Sequence, residues 1–186
     1  MQVRVDDIKD EGLALDFCES AQAFPALAEM QDEGECVFVE PICVGGRAQK
    51  ASGLIEIEGE VRTAIRLRCS RCLAEFSTPL QVPFAVPFTG ELPSIADGDE
   101  EGGGEVELTA EEMGLITYEG EYLELAEVIQ EQVIMALPLQ PLCRTDCRGL
   151  CPHCGADLNE GDCGCRPPVF NERFGALRDL KIDKKD

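Results

Sequence analysis

Closely spaced cysteine pairs are the feature of this chain with the clearest chemistry. Eight of its eleven cysteines fall into four pairs. The pairs are Cys69/Cys72, Cys143/Cys147, Cys151/Cys154 and Cys163/Cys165. A short spacer lets two thiolates from one tight turn reach the same ion, and tetrahedral zinc takes four soft or borderline ligands. The pattern therefore predicts metal binding, with zinc as the cofactor.

Four of these cysteines, called here the C-terminal cysteine group, lie close together near the end of the sequence. The group consists of Cys151, Cys154, Cys163 and Cys165. Gly155 follows the second of them, where a zinc knuckle uses the positive φ that glycine adopts readily. Four thiolates leave no coordination position open for water or substrate, so we predict a structural zinc knuckle. We expect His153 to be an exposed loop residue whose side chain points away from the ion.

The other four, called the split cysteine group, come from two distant segments. The group consists of Cys69, Cys72, Cys143 and Cys147. It forms only if the end of a long strand meets the segment that follows the main helix. Two alternatives stay open, a single zinc ion that takes a different set of four cysteines, or an iron–sulfur cluster.

Three cysteines show no ligand spacing, and we predict that they are small buried core residues. They are Cys18, Cys36 and Cys43. The N-terminal stretch MQVRVDDIKDEG lacks the apolar segment of a signal peptide. We therefore expect a cytoplasmic location, where free thiols or metal are favoured over disulfides. The sequence contains no run of 18 apolar residues, so no membrane span is predicted.

Alternating residue types predict the strand that must position Cys69. Between Ile55 and Cys69 the odd positions are mostly apolar, and the even positions are mostly charged. This period of two is typical of a half-buried strand. It predicts one long strand that bends at Gly59, or a hairpin that turns there, and the unbroken alternation favours the single strand.

Three further segments complete the predicted sheet. We expect a strand over 36–44, a polar turn over 45–53, and a strand over 80–88. The last of these contains Pro83 and Pro87, and proline within a sheet is typical of an edge strand. The Gly- and acid-rich residues 89–107 are predicted to form a mobile loop.

Helical signals are confined to two segments. The main helix is predicted at about 123–137, where an apolar stripe ends at Pro138. A short C-terminal helix is predicted from Asn171 to Lys181. The fold class is therefore α+β, with a curled antiparallel sheet or partial β-barrel, one main helix and a C-terminal zinc knuckle of four cysteines. We predict a β-rich core domain at 1–142, and a domain at 143–186 with the zinc knuckle and the short helix.

The charge of the chain limits the kinds of partner that it can bind. The formal net charge is −21, and residues 72–142 contain 15 acidic and no basic side chains. Such a chain repels nucleic acid at long range, so contact with RNA requires a local basic patch. The acidity serves solubility, or it attracts a basic partner such as a ribosomal protein.

Arginines beside the cysteines provide the candidate patch for RNA. The candidates are Arg62, Arg66, Arg68, Arg71, Arg144 and Arg148. Three of them share one face of the long strand, and a row of guanidinium groups can hold RNA phosphates. The alternative is pairing with nearby acids such as Glu56, Glu58 and Glu60.

Four stretches occur in a fixed order, namely CSRCLAEFSTPL after an alternating strand, LAEVIQEQVIMALPLQPLC, CRGLCPHCGADLNEGDCGC and NERFGALRDLK. Together they resemble the YceD family of large ribosomal RNA subunit accumulation proteins. The similarity extends from about Val3 to Lys181. It implies a bacterial or plastid factor that supports accumulation of large-subunit (23S) ribosomal RNA, in the setting of ribosome assembly. It implies no catalytic residues.

The resemblance also implies which cysteines bind together and which macromolecule the protein binds. Some family members lack the CPxCG knuckle but keep the first CxxC, which makes Cys143 and Cys147 the natural partners of Cys69 and Cys72. The implied macromolecular partner is large-subunit rRNA or a basic ribosomal protein, without a membrane or a small-molecule substrate.

The predicted function is that of a non-enzymatic factor. The sequence contains no HExxH, GxSxG or P-loop motif. Two other functions stay open. One is a zinc-ribbon module for a protein partner, unrelated to RNA, and the other is a thiol redox or metal-carrier protein, although the CxxC pairs lack a surrounding βαβ pattern.

Overall fold

Residues 1–90 and 114–165 are described by the computed structural model of the chain. The predicted helix at Asn171–Lys181 and most of the predicted loop at 89–107 lie outside these residues. The chain forms two units. Unit 1 contains Met1–Leu67 and Glu75–Leu139, and unit 2 contains Arg68–Ala74 and the segment that begins at Gln140.

The predicted division at residue 142 into a core domain and a knuckle domain stays a prediction. The observed units differ from it in two respects, since residues 68–74 belong to unit 2 and its second part begins at Gln140. The strands are β1 Gln2–Arg4, β2 Leu13–Glu19, β3 Val37–Phe38, β4 Ile42–Ala51, β5 Leu54–Arg68, β6 Glu75–Thr89, β7 Ile116–Thr117 and β8 Tyr122–Glu124. The helices are α1 Pro25–Asp32 and α2 Ala126–Ala136.

The main sheet has the strand order β2-β4-β5-β6-β7, and β3 also pairs with β5. Its end strands, β2 and β7, are not paired with each other among the described residues, so the sheet is not closed into a barrel. The sheet is mixed rather than purely antiparallel, because β7 runs parallel to β6. The curl of the sheet stays a prediction. β1 and β8 form a separate antiparallel pair.

The long alternating segment forms the single strand β5, so the hairpin alternative at Gly59 is wrong. The predicted turn at 45–53 is also wrong, because β4 continues to Ala51 and only Ser52 and Gly53 form the turn. Both turn residues have positive φ, as two-residue hairpins require. Gly46 lies directly opposite Gly59. A Cβ on Gly59 would lie 2.5 Å from the carbonyl oxygen of Gly45, so glycine permits the close approach of these two strands.

The strand predicted at 80–88 forms part of the longer strand β6, which has β5 and β7 as neighbours. β7 pairs with β6 only at Phe88 and Thr89. Among the described residues, Pro83 and Pro87 therefore have no paired strand on the β7 side, which agrees with the predicted edge position.

Two helices, rather than one, pack on unit 1. α2 confirms the predicted main helix, but it begins at Ala126 because the residues before it pair with β1 as β8. α1 was not predicted from the sequence. It begins at Pro25, whose fixed φ suits the first helical position. The side chain of Gln130 in α2 accepts a 2.8 Å hydrogen bond from the N–H of Ala26, which joins the two helices.

The core of unit 1 combines one face of β5 with both helices. Leu27 of α1, Ile57 and Val61 of β5, and Ile129 and Val133 of α2 are all fully buried. Each such side chain contributes about 1.5–3 kcal/mol through removal from water. No helix in the described part of the chain has both the length and the apolar character needed to cross a membrane.

The unpatterned cysteines behave in two ways. Cys36 is buried beside Ile65 and Leu67, as predicted. Cys18 and Cys43 are not buried thiols, which corrects the prediction. They lie directly opposite each other in β2 and β4 and form a disulfide with an S–S distance of 2.10 Å. The spacing of cysteines along the sequence does not reveal this pair, because the pairing depends on the register of β2 against β4.

Candidate metal centre

Unit 2 brings the eight patterned cysteines together as two sets of four. The split cysteine group and the C-terminal cysteine group each have their four sulfur atoms within 4.8 Å of one another. The sets are those suggested by the spacing of the cysteines along the sequence. Each set can therefore hold one metal ion.

The distances within the split cysteine group fit a tetrahedral ion. The sulfur atoms of Cys69 and Cys147 are 3.7 Å apart, and those of Cys72 and Cys143 are 3.6 Å apart. Zinc–sulfur bonds of about 2.3 Å give a tetrahedron with edges of about 3.8 Å. These two distances therefore match the spacing of sulfur ligands around a zinc ion.

The end of β5 positions the first half of the split cysteine group. The N–H of Cys69 donates to the carbonyl of Ala74, and the N–H of Leu73 donates to the carbonyl of Cys69, each at 2.9 Å. The second half is held close by Ser70, whose N–H donates to the carbonyl of Pro141 at 2.8 Å. The turn with Cys69 and Cys72, called here the first knuckle, is thus joined by a backbone hydrogen bond to the segment that precedes Cys143.

The C-terminal cysteine group is built on a similar turn with Cys151 and Cys154, called here the second knuckle. The N–H of Gly155 donates to the carbonyl of Cys151 at 2.9 Å, and the N–H of Cys151 donates to the carbonyl of Ala156 at 2.8 Å. Gly155 has φ +73° and Leu73, its counterpart in the first knuckle, has φ +62°. Leucine is strained in this conformation whereas glycine is not. The side chain of Leu73 is also 56% exposed.

Backbone amides make one thiol in each group acidic. The N–H of Cys72 lowers the pKa of Cys69 to about 6. The N–H of Cys154 likewise lowers the pKa of Cys151 to about 6. Each group therefore offers a thiolate at neutral pH to an incoming cation, since the thiolate is the form that binds metal.

Other thiols in each group hold their protons more tightly. Removal from water raises the pKa of Cys143 to about 12. The neighbouring side chain of Cys154 raises the pKa of Cys165 to about 12. Four thiolates cannot share so small a space without a cation, so full ionisation of either group requires a bound metal.

The two groups differ in their exposure to solvent. Cys69, Cys72 and Cys147 are buried. Cys154 and Cys165, in contrast, are exposed. Both groups offer four cysteine sulfur atoms as ligands, which suits a closed structural site rather than a catalytic one. His153 is exposed, as expected for a loop residue.

The six candidate arginines are exposed, and most of them contact neighbouring groups. Arg62 forms an ion pair with Glu60 on the same strand. The guanidinium of Arg71 donates to the carbonyl of Cys147 at 2.8 Å. Arg144 lies 3.5 Å from Asp146, and Arg148 forms an ion pair with Asp162. Pairing with acids, the alternative to an RNA-binding patch, is thus observed for Arg62, Arg144 and Arg148.

One polar residue beside the metal centre was not predicted from the sequence. The side-chain amide of Asn159 donates to the sulfur of Cys147 at 3.4 Å. Asn159 lies within the stretch GADLN that follows the second knuckle. Its position in this stretch gives no sign of the contact, because Cys147 belongs to the other group.

The sequence was also compared with known proteins. The family described as "Large ribosomal RNA subunit accumulation protein YceD" matches residues 57–181, well over half of the chain. The chain belongs to the YceD family. The part that matches the YceD description includes most of β5 and both cysteine groups.

Relatives of this YceD-family chain occur in plants and bacteria. It is 24% identical over 144 residues to the large ribosomal RNA subunit accumulation protein YCED homolog 1, chloroplastic, of Zea mays, covering 68% of this chain and 49% of that protein. An Arabidopsis thaliana protein of the same name is 25% identical, with 68% and 44% covered. An uncharacterized protein of Mycobacterium tuberculosis is 30% identical over 140 residues, with 75% and 62% covered.

The chain thus spans between about half and two thirds of the length of the relatives that it matches. No solved structure matches it. The YceD description names an effect on ribosomal RNA rather than a chemical reaction.

Proposed function

We propose that this chain is a non-enzymatic factor of the bacterial cytoplasm or a plastid that supports accumulation of large-subunit ribosomal RNA. The YceD match over residues 57–181 carries the proposal. Each cysteine group holds one structural zinc ion, which stabilises unit 2 as a binding module. The short sulfur–sulfur distances support a single ion in each group, because an iron–sulfur cluster would separate its cysteines with several iron and sulfide atoms.

The direct partner is a basic protein of the large ribosomal subunit. The net charge of −21 favours a cationic surface. Carboxylates on neighbouring residues pair with Arg62, Arg144 and Arg148, which reduces their attraction for phosphate. A zinc ion with four thiolates also carries a net charge of about −2, so metal binding makes unit 2 more acidic.

Direct binding of ribosomal RNA is the second candidate. Arg62, Arg66 and Arg68 are exposed at alternate positions of β5, so their guanidinium groups lie on one side of the strand. A row of this kind can contact successive phosphates. Arg71, Arg144 and Arg148 of unit 2 are further candidates for the same role.

Cells that lack the gene provide the test of the function. We expect the ratio of large-subunit to small-subunit ribosomal RNA to fall in these cells, and to recover with the wild-type chain. A variant with Cys69→Ser and Cys72→Ser should restore it poorly, because it cannot complete the split cysteine group. An unchanged ratio in cells without the gene would contradict the proposed function.

Affinity purification after crosslinking identifies the partner class. A basic ribosomal protein that stays bound after ribonuclease treatment supports the protein partner. Loss of all ribosomal components after ribonuclease, together with weak RNA binding in an Arg62→Ala, Arg66→Ala, Arg68→Ala variant, would support RNA instead. Stoichiometric zinc that resists mild oxidation would argue against a redox or metal-carrier role.

A further inference from the structure

The side chain of Asn159 connects the two cysteine groups. It lies in the loop between Cys154 and Cys163 of the C-terminal cysteine group, yet its amide nitrogen donates to Cys147 of the split cysteine group at 3.4 Å. The same nitrogen donates to Asp157 at 2.7 Å. An asparagine amide has two N–H bonds, so both are used.

Further hydrogen bonds fix the orientation of this side chain. Its amide oxygen accepts from the N–H of Arg148 at 2.8 Å. The backbone N–H of Asn159 donates to Asp157, also at 2.8 Å. Asn159 is half-buried, and its amide has a donor or acceptor partner on each side. A rearrangement of the loop at 154–163 would therefore break several bonds at once.

The segment between the two groups is also held at both ends. Gly149, between Cys147 and Cys151, accepts a 2.9 Å hydrogen bond from the N–H of Leu158, in the same loop as Asn159. The N–H of Leu150 donates to the carbonyl of Arg71 at 3.1 Å. The first knuckle, the connecting segment and the second loop thus form a continuous hydrogen-bonded network within unit 2.

We propose that Asn159 couples the two metal sites, so that an ion in the C-terminal cysteine group strengthens metal binding by the split cysteine group. An ion held by Cys154 and Cys163 closes the loop that carries Asn159, and this places its amide against the sulfur of Cys147. An N–H that donates to a ligand atom orients the ligand and stabilises its negative charge. Because equilibrium coupling is reciprocal, an ion in the split cysteine group strengthens binding by the C-terminal cysteine group to the same extent.

This inference rests on the proposed zinc sites, and its test keeps the two apart. The reduced, metal-free full chain is titrated with zinc, and native mass spectrometry measures the fractions with no, one and two ions. We expect fewer one-ion chains than two independent sites would give.

In Asn159→Ala the one-ion form should accumulate, and the affinity of the split cysteine group should fall about 10–100-fold, the usual effect of losing a hydrogen-bond partner of a ligand. Glu160→Ala, an exposed change in the same loop, is the matched control and should remain within about twofold of wild type.

A double-mutant cycle identifies the route of the coupling. Cys151→Ser with Cys154→Ser disables the C-terminal cysteine group, and competition with a coloured chelator then reports the affinity of the split group. That affinity should fall as far as it does in Asn159→Ala, and the combined variant should show no additional loss. Asn159→Asp keeps the oxygen that accepts from Arg148 but removes the donor to Cys147, so it should behave like Asn159→Ala. Circular dichroism confirms that each variant keeps the strands of unit 1.

The outcomes separate the two proposals. Wild-type protein that binds no zinc overturns both the zinc sites and the coupling. If the chain binds two ions and the fraction of one-ion chains is the one that two independent sites would give, only the coupling is overturned. Asn159→Asp with wild-type affinity would show that the bond to Cys147 does not carry the effect, and would overturn the role assigned to Asn159.

Discussion

Gly149 lies directly against the backbone of Arg71. A Cβ at Gly149 would lie 2.9 Å from the carbonyl oxygen of Arg71, and Gly149 has φ +73°. Any other residue here would push the connecting segment away from the first knuckle and would also adopt a strained backbone. The close approach of these two residues explains why a glycine lies between the two cysteine groups.

We therefore expect Gly149→Ala to destabilise unit 2. The positive φ alone costs alanine about 1–2 kcal/mol, and the contact with the carbonyl of Arg71 adds to this cost. Thermal melting of the zinc-loaded protein measures the effect. Gly161→Ala is the matched control, because a Cβ at Gly161 meets no atom within 4 Å. Equal melting temperatures for the two variants would contradict the prediction.

Accessibility should determine the order in which the cysteines react. Cys154 and Cys165 are exposed, whereas Cys69 is fully buried. With a chelator present, an alkylating reagent should modify exposed Cys154 before buried Cys69, and mass spectrometry of peptides records the order. Cys36 is the internal control, because burial raises its pKa to about 11 and it should react last. Modification of Cys69 before Cys154 would show that burial does not protect the split cysteine group.

Metal binding should weaken as the pH falls. The thiols of Cys143 and Cys165, whose pKa values are raised to about 12, must lose their protons before they bind zinc. Acid therefore opposes binding, and zinc binding near neutral pH releases protons. Calorimetric titrations in two buffers with different heats of ionisation measure this release. The same heat in both buffers would mean that no proton is released, contrary to the expectation.

In the metal-free protein the acidic thiols make the stability of the fold depend on pH. Folding lowers the pKa of Cys69 and Cys151 from the ordinary 9.0 to about 6. A group with a lowered pKa stabilises the fold above its unfolded value and loses that contribution as the pH falls through the folded value. The metal-free protein should thus lose stability as the pH falls from about 9 to about 6. Thermal melting at a series of pH values tests this expectation.

The disulfide between Cys18 and Cys43 should stabilise unit 1. It joins residues separated by 25 positions, and a closed loop of this size is typically worth about 2–4 kcal/mol. A reductant should therefore lower the denaturant midpoint of the wild-type protein. The Cys18→Ala, Cys43→Ala variant is the control, and its midpoint should not respond to the reductant. A wild-type midpoint that is unchanged by reduction would argue against a stabilising role.

The sequence predicts local features of this protein better than long-range ones. The alternation from Ile55 to Leu67 identifies β5, because each apolar residue on one side of a strand loses contact with water. Cysteine spacing indicates which sulfur atoms share a turn. In contrast, Gly45 and Gly46 resemble a turn in the sequence but continue β4, because continuous pairing with residues 54–62 of β5 outweighs their local preference.

Contacts between distant segments account for what could not be predicted. The pairing of Cys18 with Cys43 depends on strand register, and the bond from Asn159 to Cys147 depends on how two loops pack. Neither leaves a periodic pattern in the sequence. α1 was missed because its eight residues contain only one fully buried side chain, Leu27, so its apolar stripe is too short to recognise.

The separation of 78 positions between Cys69 and Cys147 also imposes an order on the newly made polypeptide. As the chain leaves the ribosome, Cys69 and Cys72 emerge first. Cys143 and Cys147 follow only after most of the remaining chain has been translated. The coordination sphere is completed only after the last strand and helix of unit 1 have been synthesised. Metal capture by the split cysteine group is thus expected late in biogenesis, and a nascent chain interrupted before Cys143 should not achieve it.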